Sequence, residues 1–326
     1  MFTEKIRYIR NKYLGKLTIK EPYSKTKWLS VRVRGYIDLF RAFTLLAPIV
    51  VSIFVMMASI VYNNKTLPSN WLITVIHASG TIAIINAASN ALNQATDVEA
   101  DKISKPYRPI PLGIVRPDEA QSLAFILYLF ALLRSATINA WFGIFAFIIM
   151  ILTLTYSLPP RMKQYLFINQ VWIALGRGFF GVMASWSVFG NPFTPTPIMI
   201  GIIATLYLIG GMATKDIVDS EADRRTGTKT MINTYGRKKT AIYCFPFMFF
   251  PFVFIPIFIN LKLLATYLIP LTILCIPSLL VAILIYRGTE SKTLENVHAW
   301  SIMYVQYMVY AMLFSLLIIF RDVLPF

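Results

Sequence analysis

Two short segments of the chain concentrate oxygen-bearing side chains at helical spacing. Asn93, Asp97 and Asp101 are four and four residues apart, and Asp216, Asp219 and Asp223 are three and four apart. At about 100° per residue each set falls on one face of a helix, with Glu99 and Glu221 off that face. Together the two segments hold seven of the fifteen acidic residues. Bases stand beside each: Lys102, Lys105 and Arg108 after the first, and Lys215, Arg224, Arg225 and Lys229 around the second. Neither segment contains His or Cys, and hard oxygen donors of this kind favour Mg²⁺ or a similar ion. Mg²⁺ takes one or two carboxylates and fills its shell with water and phosphate, so two facing sets of donors suit two ions bridged by a diphosphate. The adjoining bases fit a metal-bound polyanion. A plain cation site would gain nothing from them.

The elements that carry these residues are set by composition. The 326 residues are 57% hydrophobic, with a mean hydropathy of +0.63, and the apolar residues fall in long runs. That pattern predicts an all-α, polytopic membrane protein. Spans of roughly 20 residues are expected at about 39–62, 71–96, 120–136, 140–157, 166–189, 197–214, 241–260, 263–286 and 297–320. Arg134 and Asn139 mark the turn between the third and fourth. Of the 31 Lys and Arg residues, 26 fall in the N-terminal arm and the loops on its side; only Lys65, Arg134, Lys262 and Arg321 fall on the other. The positive-inside rule then puts the N-terminus in the cytoplasm and the C-terminus outside, with both acidic segments at cytoplasmic helix ends. Arg177, inside the fifth span, must face a cavity or a partner and is a candidate substrate contact. The two cysteines, Cys244 and Cys275, lie in apolar runs and suit buried positions rather than a disulfide. The basic start of the chain is too long for a signal peptide's n-region. It is expected to rest on anionic lipid rather than on nucleic acid.

The first segment reads N-x-x-x-D-x-x-x-D and runs on into "KPYRPIPLG" at 105–113. The second reads "KDIVDSEADRRTGTKT", and a third stretch, "YSLPPRMK", covers 156–163. In these motifs, and in the nine expected spans, the chain resembles the UbiA superfamily of intramembrane prenyltransferases. Ala222 stands at the family's usual glycine, a mild exchange in a helix, where Ala is favoured by roughly 1 kcal/mol. The resemblance implies nine transmembrane helices around a central cavity under a cytoplasmic cap, over residues 37–326, with residues 1–36 a basic arm. It implies transfer of a prenyl group from an allylic diphosphate to a lipophilic acceptor. The acceptor is expected to be lipid-forming, such as geranylgeranylglyceryl phosphate, or an aromatic quinone precursor.

On this reading Asn93, Asp97, Asp101, Asp216, Asp219 and Asp223 hold two Mg²⁺, and Arg41, Lys105, Arg108, Arg161, Lys163 and Lys215 take the diphosphate. The Tyr156 ring, placed by the third motif, faces the allylic cation; aromatic faces stabilise dry cations by up to about 2 kcal/mol or more. No obligate protein partner is evident. The alternative is a membrane transporter using the acidic clusters as a cation site, although transporters usually set such groups near the midplane.

Overall fold

The computed structural model describes residues 25–63, 66–288, 292–293 and 296–323. The first 24 residues of the expected basic arm, and Lys65, lie outside the described residues. Among the described residues the chain is all-helical apart from a two-residue antiparallel pairing of Lys292–Thr293 with Asn296–Val297. Helix α1 (Lys25–Leu39) precedes the membrane and breaks from α2 (Ala42–Tyr62) at Arg41, which sits in the left-handed region with φ 51°. Leu29, Val33 and Ile37, one turn apart on α1, are all exposed. Arg32 ties α1 to Glu119.

Next come α3 (Trp71–Thr96), the short α4 (Val98–Ser104), α5 (Pro117–Ala136) and α6 (Ala140–Ser157). Asn139 caps α6, its side chain accepting the Phe142 amide at 2.8 Å. Then α7 (Ile168–Ala174) passes through a π turn, Leu175–Phe180, into α8 (Gly181–Ser187). Helix α9 (Pro195–Gly211) leads through a 3₁₀ turn, Met212–Lys215, into α10 (Asp216–Thr226). The chain ends with α11 (Met231–Val253), α12 (Ile255–Asn260), α13 (Cys275–Arg287) after a 3₁₀ stretch, and α14 (His298–Ile319).

Among the described residues, seven helical stretches are long and apolar enough to cross a bilayer. The other two expected spans coincide with interrupted helices. The fifth is broken by the π turn after Ala174, and the seventh is divided at Phe254 between α11 and α12, after a kink at Gly236 (φ 73°) earlier in α11. Seven of the nine expected spans thus coincide with such stretches, and the fifth and seventh do not. Both cysteines are free, and Cys244 is buried. One core joins α2 and α8 to α9, α11, α13 and α14. A second joins α3, α5 and α6 to the other face of α2 and α8. A cavity opens between them.

Candidate active site

Helix α3 stops at Thr96, and Asp97 leaves the helical conformation with φ −112° and ψ 24° before α4 restarts. The expected continuous stripe through Asp101 is thus corrected to two helices meeting at Asp97. Arg161 supplies the reason. Its Nη2 donates to the Thr96 carbonyl at 3.0 Å, satisfying a group that a C-terminal turn leaves without a partner. The same nitrogen reaches Asp97 Oδ1 at 2.8 Å, and Lys163 binds that oxygen too. Asn93 Nδ2 donates to Asp97 Oδ2 at 2.8 Å. Arg108 Nη1 donates to both oxygens of Asp101, at 2.9 and 2.8 Å, and both side chains are buried. Burial pushes the Asp101 carboxyl above its ordinary range, opposed by Arg108 and Lys105. Burial likewise lowers Lys163, opposed by Asp97.

The second segment lies on α10 as expected. Lys215 Nζ donates to Asp216 Oδ1 at 2.8 Å and to the Tyr156 hydroxyl at 3.1 Å. Its ammonium stands 5.8 Å from the Tyr156 ring centroid, beyond the hydroxyl end of the ring, so Lys215 orients Tyr156 through its hydroxyl. Lys105, from the loop after α4, pairs with Asp219 on α10. That pair joins residues 114 positions apart, so the two acidic helix ends share one site. Gly227, in the left-handed region, ends α10. Beyond it the Lys229 amide donates to the Gln164 carbonyl at 3.2 Å, linking the loops after α6 and α10.

All fourteen side chains singled out from the sequence line one cavity of about 440 Å³. The acids and the bases paired with them form its rim. Its interior is lined by Ile85, Leu152, Leu208 and Met303 with Trp172, Trp300 and Tyr307. Sequence reasoning missed Asn86 and Asn90, which face the cavity two turns and one turn before Asn93. Asn90 Nδ2 donates to the Phe40 carbonyl and Thr44 Oγ1, both at 2.8 Å. The signal was present: Asn86, Asn90, Asn93 and Asp97 repeat at four, three and four in an apolar span. Asn169 was also missed, and its amide nitrogen and oxygen are buried with no partner among the described residues.

Among the described residues, no three Asp, Glu, His or Cys side chains are grouped so as to hold a metal ion by themselves. A hard cation that takes one or two carboxylates and completes its shell with phosphate does not require such a group. The donors here are all oxygens, and Asp216 Oδ2 is buried without a hydrogen-bond partner. The residues therefore fit Mg²⁺ arriving with a diphosphate.

The sequence pattern of the UbiA prenyltransferase family matches residues 45–318. The chain belongs to that family. It is accordingly an integral, multi-pass membrane protein. Similar curated proteins include the digeranylgeranylglyceryl phosphate synthase of Sulfurisphaera tokodaii, 29% identical over 55% of this chain and 65% of that protein. The synthase of the same name from Methanobrevibacter smithii is 27% identical over 69% of this chain and 81% of its own length. The chain thus spans just under two thirds of the first relative. A solved UbiA homolog from Archaeoglobus fulgidus bound to GPP and Mg²⁺ matches 89% of this chain and 100% of its own, with TM-score 0.65 and 18% identity. A digeranylgeranylglyceryl phosphate synthase structure matches 86% of this chain and 99% of its own, with TM-score 0.60 and 22% identity. At these identities the structures establish the shared UbiA fold.

Proposed function

We propose that this UbiA-family protein transfers a prenyl group from an allylic diphosphate to a lipid acceptor inside the membrane. The observation that carries this is the Lys105–Asp219 pair, which closes two acidic helix ends over one cavity with an apolar interior. Relatives named for digeranylgeranylglyceryl phosphate synthesis favour a prenylated glycerol phosphate as acceptor. An aromatic precursor is the second reading, favoured by 31% identity to a probable homogentisate phytyltransferase of rice over 53% of this chain. The transport alternative finds no support in the family or in the placement of the acids at one rim.

Asn93, Asp97, Asp101, Asp216, Asp219 and Asp223 would hold the metal, whose role when bound is to neutralise charge on the departing diphosphate. Lys105, Arg108, Arg161, Lys163 and Lys215 now engage these same carboxylates. Divalent charge and a polyanion entering together would let each base turn to phosphate oxygen without leaving a buried charge alone. Arg41 lines the same cavity. The prenyl C–O bond then breaks with its electron pair on the diphosphate. The acceptor oxygen forms the new bond, and its proton leaves with the diphosphate. Tyr156, oriented by Lys215, offers its ring to the allylic cation. The apolar interior keeps water from that cation.

The excess of bases on one side supports a cytoplasmic rim and N-terminus. The exposed apolar stripe of α1, among basic residues, supports an arm lying on anionic lipid. The family match supports one catalytic unit over 37–326, with 1–36 appended. Labelled prenyl diphosphates incubated with the purified protein and a panel of acceptors, with and without Mg²⁺, test the assignment. Mg²⁺-dependent formation of a prenylated lipid is expected; its absence across the panel overturns the proposal.

A further inference from the structure

Arg177 differs from the bases of the rim. Lys105, Arg108, Arg161, Lys163 and Lys215 each meet a carboxylate. Arg177 also lines the cavity, yet it forms no ion pair among the described residues. Among the same residues its one side-chain hydrogen bond runs from Nη2 to Asn86 Oδ1 at 3.3 Å. A guanidinium has five donors, so most of its capacity is left for a ligand. A charge within the membrane without a counter-charge is costly and marks a site for one.

The backbone is built to hold Arg177 there. It sits in the π turn Leu175–Phe180, an irregularity that recurs at functional sites. The Tyr307 hydroxyl donates to the Arg177 carbonyl at 2.7 Å. Neighbouring Gly178 lies so close to α9 that a Cβ there would fall 2.7 Å from the Thr205 amide nitrogen. Asn86 is fixed in turn, its Nδ2 donating to the Thr44 carbonyl at 3.2 Å, which leaves Oδ1 for Arg177. Asn86 precedes Asn93 by two helical turns, roughly 10 Å of rise. The Arg177–Asn86 pair thus lies well inside the rim where the diphosphate is placed.

We propose that Arg177, steadied by Asn86, binds the anionic headgroup of the prenyl acceptor, a phosphate monoester or a carboxylate. This rests on the prenyl-transfer reading above. Two anions then bracket the reaction, diphosphate at the rim and headgroup within. The acceptor's hydroxyl lies between them, a few bonds from its own anion, facing the allylic carbon. Arg177 is a specificity-determining residue and takes no part in bond breaking.

The full-length protein in lipid nanodiscs, with Mg²⁺ and geranylgeranyl diphosphate, tests this. The acceptor arms are geranylgeranylglyceryl phosphate, its dephosphorylated alcohol and 4-hydroxybenzoate, and whichever anionic arm is used identifies the headgroup. Arg177→Gln should raise KM for the anionic acceptor by about tenfold or more, the size of a lost charge-assisted contact. KM for the diphosphate should stay unchanged, and the preference over the neutral alcohol should shrink. Arg177→Lys should recover part of the loss. Unchanged acceptor KM in Arg177→Gln, or a rise confined to the diphosphate, overturns the assignment. Direct binding of geranylgeranylglyceryl phosphate and 4-hydroxybenzoate to wild type and Arg177→Gln, measured without donor, separates the two proposals. Arg177-dependent anion binding without any turnover would sink the transferase reading and keep this one. Turnover with Arg177-independent binding would do the reverse.

Discussion

Asp97 and Asp101 meet three basic side chains, Arg161, Lys163 and Arg108, whereas Asp216, Asp219 and Asp223 share two, Lys215 and Lys105. The first segment is over-matched in charge, and its bases also build structure: Arg161 caps α3, and Arg108 grips Asp101 in a buried pair. The second segment is under-matched. Asp223 has no ion pair among the described residues, and one oxygen of Asp216 is buried without a partner. Two segments of similar composition have thus divided their work. One is fastened between α3 and the loop over the cavity; the other has carboxylate oxygens left for the cation proposed above.

Asp219→Ala should have the largest effect. It removes a proposed metal ligand and the ion pair that joins the two segments, so turnover should vanish while membrane insertion persists. Product formation by this variant, measured with labelled donor, would falsify the shared-site reading. The division itself is tested next. Arg108→Ala leaves Asp101 buried without its guanidinium and should cost about 3–5 kcal/mol of stability. Asp223→Asn touches no pair and should change stability little, while raising the Mg²⁺ concentration needed for half-maximal activity. Thermal unfolding in detergent beside a Mg²⁺ titration reads both, and an unstable Asp223→Asn with a stable Arg108→Ala would reverse the comparison.

Mg²⁺ with a non-reactive prenyl diphosphate analogue should stabilise the wild type by about 2.7 kcal/mol at one hundred times Kd. A chelator should remove the gain, and Asp223→Asn should shrink it more than Glu99→Gln does. The smallest effects are expected off the two faces. Glu99 and Glu221 pair with exposed neighbours, Lys102 at 2.8 Å and Arg225 at 2.8 Å, and exposed pairs contribute little. Glu99→Gln and Glu221→Gln should keep near wild-type rates; a large loss in either would move the site's edge outward.

Helix ends flanked by strong local signals were legible. The stretch 140–157 is bounded by the Asn139 cap and by two prolines, and the span ending at Thr96 stops where the charge begins. The candidate site residues were legible too, because carboxylates at helical spacing beside bases are rare in an apolar chain. The break at Asp97 was not, since the group that makes it favourable, Arg161, arrives from 64 positions away. Nor was the π turn at Arg177, whose local residues would equally form an α-helix. Tyr307 and the close approach of Gly178 to Thr205 select it from outside.

Hydropathy, charge asymmetry and residue spacing depend on neighbours in the chain, and they alone determined the membrane class and the common side of the acids, and pointed to the kind of ligand proposed. Which base meets which acid, which carboxylate is left under-matched and where a lone guanidinium points depend on helices packing across long sequence separations. Those were decided only in the folded molecule, because ion-pair energies follow distance and burial, and neither is written in the order of residues.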